Sequence, residues 1–180
     1  MIRNLQYSKE QVSWNFRQKE VNVKLNNVIF ASEDKENNYI RIDSGENFET
    51  KKVYLFDFIG NLLMSYDIEK GHMAWKYNSS EKEMDIQNLL QVGYFPQKNM
   101  FLTMYQGKNR EVAAFDLNGD FLFEVIKPEG FEMMYFQEFK DYVSVVCDGD
   151  DSQVDKFGRR RFNFQLNADT GYLTKEGLAY

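Results

Sequence analysis

The chain has 180 residues, which suits one domain, with 43% hydrophobic residues, 16% aromatic residues and a formal net charge of −6. This charge disfavours nucleic acid and anionic lipid as partners and favours a cationic one. No run of 18 apolar residues occurs, and the chain starts without the apolar segment of a signal peptide. We therefore expect a single domain spanning residues 1–180, located in the cytoplasm, with no nucleic acid and no membrane as partners.

The first predicted module, at about residues 8–67, consists of four strands. In chain order these are an alternating aromatic strand at 12–16, an apolar strand at 28–31, a hairpin strand at 53–58 and a return strand. In the hairpin, VYLFDFIGNLL, Asp57 stands three residues before Gly60. Aspartate can accept a hydrogen bond from the backbone two residues further on, and glycine accepts the positive φ that a short hairpin loop requires. The segment therefore predicts a tight hairpin.

Two further modules, at about residues 68–126 and 127–180, repeat this pattern. Their elements are aromatic strands around Trp75 and Phe131, apolar strands at 100–104 and 143–147, and the hairpins VAAFDLNGDFL and FNFQLNADTGYL. The hairpin glycines recur after 59 and 52 residues, which is the spacing of a repeat architecture. The first two hairpin strands are apolar on both faces, whereas Asn163 and Gln165 make one face of the third polar. A polar, solvent-exposed face is expected for the terminal member of a stack, because no other member packs on it.

These hairpins resemble the blade repeats of β-propellers. LNADTGYL is similar to the blade signature of PQQ-type repeats, and the first two hairpins are similar to looser D-x-x-G hairpins of six- to eight-bladed propellers. The resemblance implies an all-β fold of three four-stranded antiparallel modules stacked like blades. Three blades are too few to close a ring. The alternatives are an open stack, half of a six-bladed ring completed by a homodimer, and a single β-barrel or sandwich.

Two acidic segments, 32–49 and 147–155, are the candidate binding sites. The predicted binding residues are Glu33, Asp34, Glu36, Asp148, Asp150 and Asp151. Both segments are predicted to be loops between the second and third strands of a module, so both are expected to open at the same end. They could dock a basic protein or hold calcium, which prefers six to eight oxygen ligands, although neither has the spacing of an EF-hand. Three arginines at 159–161 follow the second segment, and we expect them to neutralise it.

Nucleophilic and metal chemistry find little support in the sequence. Cys147 ends the apolar run VSVVC, which indicates a small buried side chain, and a single cysteine is typical of a reducing compartment. His72 is the one histidine, so a usual zinc site would need carboxylates to complete it. No phosphate-binding glycine loop or hydrolase motif occurs. We therefore predict no catalytic residue, no metal ligand and no cofactor.

The sequence favours a non-catalytic protein-binding module of bacterial-like cytoplasmic type, whose acidic loops bind a basic protein partner. An immunity or inhibitor protein is the analogy that size and charge suggest. The alternative, implied by the propeller resemblance, is a metal-dependent hydrolase or lactonase formed by a dimeric six-bladed ring, with Glu33, Asp34, Asp148 and Asp150 as its acids. A third hypothesis is a structural piece of a larger assembly, joined through open strand edges.

Overall fold

The computed structural model describes residues 2–179, and its regular structure in that range consists of β-strands and two short 3₁₀ turns, at Pro96–Lys98 and Asp151–Gln153. The strands are β1 (Arg3–Ser8), β2 (Gln11–Phe16), β3 (Lys19–Lys24), β4 (Val28–Asp34), β5 (Tyr39–Glu46), β6 (Glu49–Asp57), β7 (Leu62–Asp67), β8 (His72–Tyr77), β9 (Ser80–Asp85), β10 (Leu89–Phe95), β11 (Met100–Gln106), β12 (Arg110–Asp116), β13 (Phe121–Glu124), β14 (Phe131–Glu138), β15 (Val143–Gly149), β16 (Arg161–Leu166) and β17 (Leu173–Leu178). The predicted all-β class is confirmed.

The strands form four open antiparallel sheets, each of which follows the chain from strand to strand as a meander. Sheet I contains β1–β3, sheet II contains β4–β9, sheet III contains β10–β13 and sheet IV contains β14–β17. The described strands therefore do not close into the single barrel, or pair into the single sandwich, that was the alternative prediction. The antiparallel meander of each sheet agrees with the predicted resemblance to propeller blades. The type and number of blades stay a prediction.

The chain divides into two compact units, one ending at Leu89 and the other beginning at Leu90. In the first unit, sheets I and II share one apolar core. Its buried members are Ile2, Val12, Trp14, Val28, Ala31, Ile40, Ile42 and Phe56. In the second unit, sheets III and IV share another core. Its largest members include Phe95, Met100, Leu102, Met104, Phe131, Met133 and Phe164. Each unit thus builds one core from two sheets. The single domain with repeats at 8–67, 68–126 and 127–180 stays a prediction.

The three hairpins form at the predicted positions with the predicted chemistry. Asp57 Oδ1 accepts hydrogen bonds from the amides of Ile59 at 3.0 Å and Asn61 at 2.8 Å, and Gly60 has φ of 94°. Asp116 makes the equivalent bonds to residues 118 and 120, both at 2.9 Å. In the third hairpin Asn167 Oδ1 takes this role, accepting from the amides of residues 169 and 170. Local side-chain chemistry therefore fixes these turns.

The first two predicted modules do not coincide with single four-stranded sheets, whereas the four strands of the third are those of sheet IV. Trp75 lies in β8, and β8 belongs to sheet II because the tight turn after β7 returns the chain to the same sheet. The first strand of sheet III is instead β10, the segment LLQVGYF, which the module scheme left unassigned. The predicted first module is divided between sheets I and II.

The first acidic segment, 32–49, is not a loop. It contains the end of β4, all of β5 and the start of β6, with a tight turn between β4 and β5. Ile40 and Ile42 of β5 are fully buried, while Arg41 and Asp43 alternate with them and are less buried. The period of two that marks a strand is therefore present, and the surrounding charged residues obscured it. On β16, the alternation of buried Phe164 and Leu166 with half-buried Asn163 and Gln165 agrees with the predicted polar face.

Candidate protein-binding site

A group of exposed large apolar side chains surrounds a cleft of about 600 Å³ in the first unit. Tyr7, Ile29 and Phe48 line this cleft, and the ring of Phe30 meets that of Tyr7 edge-on at 6.4 Å between centroids. Three of these side chains are about half exposed or more. We call these four residues the aromatic cleft. Exposed apolar groups gathered in one place on a folded chain are typical of interaction sites.

Phe48 is the most exposed of these residues, with 92% of its surface open to solvent. It occupies the β5–β6 turn, where Glu46 pairs with Glu49 and the two turn residues, Asn47 and Phe48, have φ of 52° and 64°. A two-residue turn with positive φ at both positions favours glycine at the second, and another residue there costs about 1–2 kcal/mol. The ring of Phe48 gains no burial that would offset this cost. An exposed aromatic ring in a strained position is a sign of a functional residue.

Backbone hydrogen bonds join the segments that line the aromatic cleft. The amide of Val28 donates to the carbonyl of Lys9 at 3.0 Å, and the amide of Gly45 donates to the carbonyl of Asn27 at 2.8 Å. Lys9 and Glu46 also line the cleft, so one charge of each sign lies beside the apolar rings. A preformed apolar centre with polar groups at its border is the usual anatomy of a protein-binding site.

The predicted binding residues of the first acidic segment lie around the turn between β4 and β5. Glu33 and Asp34 end β4, and Glu36 lies in the turn itself. Asp34 Oδ1 accepts a hydrogen bond from the amide of Asn37 at 2.9 Å, so this carboxylate helps to close the turn. That these three residues bind a partner stays a prediction.

The second acidic segment is neutralised by the arginines that follow it, as predicted. Asp148 receives two hydrogen bonds from the guanidinium of Arg161, at 2.7 and 2.9 Å. The other pairs are Asp155 with Arg159 at 2.8 Å and Asp151 with Arg160 at 3.8 Å. Asp150 caps the 3₁₀ turn by accepting from the amide of Ser152 at 2.9 Å. These carboxylates therefore have partners within β15, β16 and the loop that joins them. Binding of a basic protein through Asp148, Asp150 and Asp151 stays a prediction.

The structure does not support the expectation that the two acidic segments open at one end of equivalent modules. That expectation required both segments to join the second strand of a module to the third. The first segment is mostly strand and belongs to the first unit, whereas the second connects β15 to β16 in the second unit.

Replacing Asp148 by asparagine is expected to reduce the acid sensitivity of the second unit. The hydrogen bond from Arg161 lowers the pKa of Asp148 below its ordinary value of 3.8, although partial burial opposes this shift. A carboxylate with a lowered folded-state pKa stabilises the fold above its unfolded pKa, and the contribution is lost as the pH falls through the folded pKa. At about pH 7 the parent should therefore unfold at a higher midpoint temperature than D148N. Near about pH 2 the two midpoints should coincide. A constant difference across this range would contradict the assignment.

Cys147 is fully buried in the core of the second unit, as its sequence context predicted. Burial, together with the nearby carboxylates of Glu132 and Asp148, raises the pKa of its thiol to about 12. Because the thiolate is the reactive form, an aromatic disulfide reagent at neutral pH should label the folded protein at least about 100-fold more slowly than the protein in urea. Labelling at equal rates in both conditions would show that the thiol is accessible in the fold.

The one histidine of the sequence contacts a carboxylate on the neighbouring strand. His72 begins β8, and its Nδ1 lies 2.7 Å from Oδ1 of Asp85 on the neighbouring strand β9. The described residues contain no group of three or more His, Cys, Asp or Glu side chains arranged to hold a metal ion. Within the same range, no helix has the length and apolar character needed to cross a membrane.

No protein-family model and no curated protein matches this chain. Two solved structures are similar to it at low identity. The first is a proposed 6-phosphogluconolactonase from Bacteroides fragilis, with 12% identity, a TM-score of 0.44, and coverage of 93% of this chain and 65% of the other. The second is Hsv2 of Kluyvelomyces marxianus, with 10% identity, a TM-score of 0.34, and coverage of 98% and 78%. The chain thus spans less than two thirds of the first protein, and neither similarity carries an argument about activity.

The sequence contains one signal for the aromatic cleft, and it lies apart from the predicted acidic residues. The dipeptide Asn47-Phe48 lies between two alternating segments, where Asn-Gly is the usual hairpin turn. An aromatic residue in that place marks an unusual turn. The sequence also holds a further D-x-x-G turn, which begins at the last residue of the second acidic segment. Asp155 accepts hydrogen bonds from the amides of Phe157 and Arg159, and Gly158 has positive φ.

Proposed function

We propose that this chain is a non-catalytic protein-binding module whose contact site is the aromatic cleft. The observation that carries the proposal is Phe48, which holds an aromatic ring in solvent on a turn that favours glycine. Aromatic residues dominate the binding energy of many protein interfaces when they enter a pocket of the partner.

The partner that fits best has an apolar pocket or ridge for Phe48 and Tyr7 and a basic surface around it. The net charge of −6 favours the approach of a basic protein at long range. At the border of the cleft the charges of Lys9 and Glu46 balance, so the apolar contact supplies the affinity. A reducing cytoplasm, in keeping with the single cysteine, is part of this proposal.

Replacing Phe48 by glycine is the decisive experiment, because it removes the ring and relieves the strained turn together. We expect F48G to be more stable than the parent by about 1 kcal/mol and to lose at least about tenfold in affinity for the partner. The measurement is quantitative capture of the partner from a cell lysate by immobilised parent or variant, with thermal melting of each.

The matched control is Gln18→Gly. Gln18 occupies the second position of the β2–β3 turn with φ of 65°, so this variant relieves the same backbone strain without removing an aromatic ring. It should gain stability and capture the partner as the parent does. Undiminished capture by F48G would disprove the proposed site. Loss of capture only in a variant with asparagine at 148, 150 and 151 would assign binding to the second acidic segment.

A further inference from the structure

The last strands of the four sheets differ in how they protect their outer edges. An exposed strand edge can pair with another chain, and charged side chains normally prevent this. Charged residues lie along β3, β9 and β17, namely Lys19, Glu20 and Lys24 on β3, Glu81, Lys82, Glu83 and Asp85 on β9, and Lys175 and Glu176 on β17. In contrast, β13 reads FLFE, and two of its apolar side chains, Phe121 and Leu122, are 58% and 46% exposed.

Strand β13 pairs with β12 and is the last strand of sheet III, so its outer side has no strand partner within residues 2–179. Beyond its end, the amide of Ile126 donates to the carbonyl of Gly171 at 2.9 Å. The hairpin that carries Gly171 therefore bounds the open edge on one side. Gly171 also lies against the carbonyl oxygen of Glu124. The part of the edge that has room for an added strand therefore spans residues 120–123.

A row of aromatic rings leads to this edge across sheet III. Phe101, Phe115 and Phe121 are paired in register on three neighbouring strands. Their ring centroids are 5.3 Å apart between the first two and 5.9 Å apart between the last two. The row begins at a fully buried ring and ends at an exposed one. Because cross-strand pairs of large side chains stabilise a sheet, an added strand with an aromatic residue opposite Phe121 would extend the row.

Acidic side chains stand at both ends of the apolar edge, Asp120 before it and Glu124 at its end. Both are exposed, and no salt bridge joins either carboxylate to another side chain within the described range. Antiparallel pairing of two copies about Leu122 would place Asp120 of one copy opposite Glu124 of the other. Like charges directly opposite each other are destabilising, which disfavours a second copy and favours a strand with basic residues at both ends.

We infer that the outer edge of β13 is a docking site for an extended segment of a partner protein, which has an apolar centre flanked by Lys or Arg and adds a fifth strand to sheet III. Such strand addition takes affinity from main-chain hydrogen bonds and specificity from alternate side chains. This site lies in the second unit and is independent of the aromatic cleft.

The test is titration of the ¹⁵N-labelled protein with the peptide Thr-Arg-Val-Thr-Phe-Arg-Thr, blocked at both ends, up to about 2 mM, the range for a short added strand. We expect amide shifts at residues 120–123. Binding should be at least tenfold weaker when both Arg of the peptide are replaced by Glu, and it should be lost when alternate peptide nitrogens are methylated. The double variant D120N/E124Q should bind at least threefold more weakly. The matched double variant E81Q/E83Q on the charged edge of β9 should bind as the parent does.

Several results would overturn the inference. They are an absence of shifts at 120–123 throughout the titration, equal binding of the Arg and Glu peptides, or binding that survives methylation of the peptide backbone. Sedimentation that shows a dimer of the parent, dissociated by the variant Leu122→Lys, would assign the edge to a second copy and would overturn it as well. Melting curves of each variant verify that the fold is retained.

Discussion

Replacement of Trp14 by alanine is expected to lower the free energy of unfolding of the first unit by about 4 kcal/mol. The Trp14 side chain is 1% exposed and lies in the core that sheets I and II share. Its removal would leave a cavity that the surrounding strands can fill only in part. The indole also fastens the first hairpin, because Nε1 donates a hydrogen bond to the carbonyl of Phe58 at 2.8 Å.

A second substitution separates the packing of Trp14 from its hydrogen bond. Trp14→Phe keeps an aromatic ring in the core but leaves the Phe58 carbonyl without its donor, so it should cost about 1–3 kcal/mol. Chemical denaturation followed by circular dichroism measures both variants. Phe16→Ala, on the same strand but only half-buried, is the control and should cost less than Trp14→Ala. A loss below about 1 kcal/mol for Trp14→Ala would show that sheets I and II do not share this core.

The elements that could be predicted from the sequence are those that local chemistry determines. The turn aspartates and glycines define their hairpins within five residues, and the arginines that neutralise the second acidic segment are close to it in the chain. The grouping of strands into sheets depends on whether the chain returns to the same sheet after each strand. At the turn between β7 and β8, Asp67 Oδ1 accepts from the amide of Lys70 at 3.0 Å, and sheet II continues for two more strands. No apolar pattern within the strands indicates that continuation.

The candidate binding site was harder to predict because its residues come from three separate strands and turns. Tyr7 and Phe30 look like ordinary strand residues in the sequence, and Phe48 differs only by its place in a turn. Only the packing of sheet I on sheet II places the three together. The acidic segments are visible in the sequence because like charges are adjacent in the chain. Their side chains are largely used within their own turns, as Asp34 and Asp150 show. The sequence therefore reveals where acidic residues cluster along the chain. The aromatic cleft, in contrast, depends on tertiary structure.

Replacement of Gly171 by alanine is expected to destabilise the second unit by about 3 kcal/mol or more. Gly171 has φ of 74°, and a Cβ at this position would collide with the carbonyl oxygen of Glu124 and press on the ring of Phe123. The collision is with backbone, so no side-chain rotation can relieve it. The carbonyl of Gly171 also accepts the hydrogen bond from Ile126, so the hairpin of sheet IV and the end of sheet III must move together.

Gly158→Ala is the control that isolates the collision from the backbone strain. Gly158 has φ of 81°, but a Cβ there would meet no atom within 4 Å. This variant therefore carries only the cost of a positive φ, about 1–2 kcal/mol. Urea denaturation of the two variants should give a difference of about 1 kcal/mol or more, with G171A the less stable. Equal losses in the free energy of unfolding would mean that the third hairpin does not lie against β13. The third hairpin would then not limit the open edge of β13.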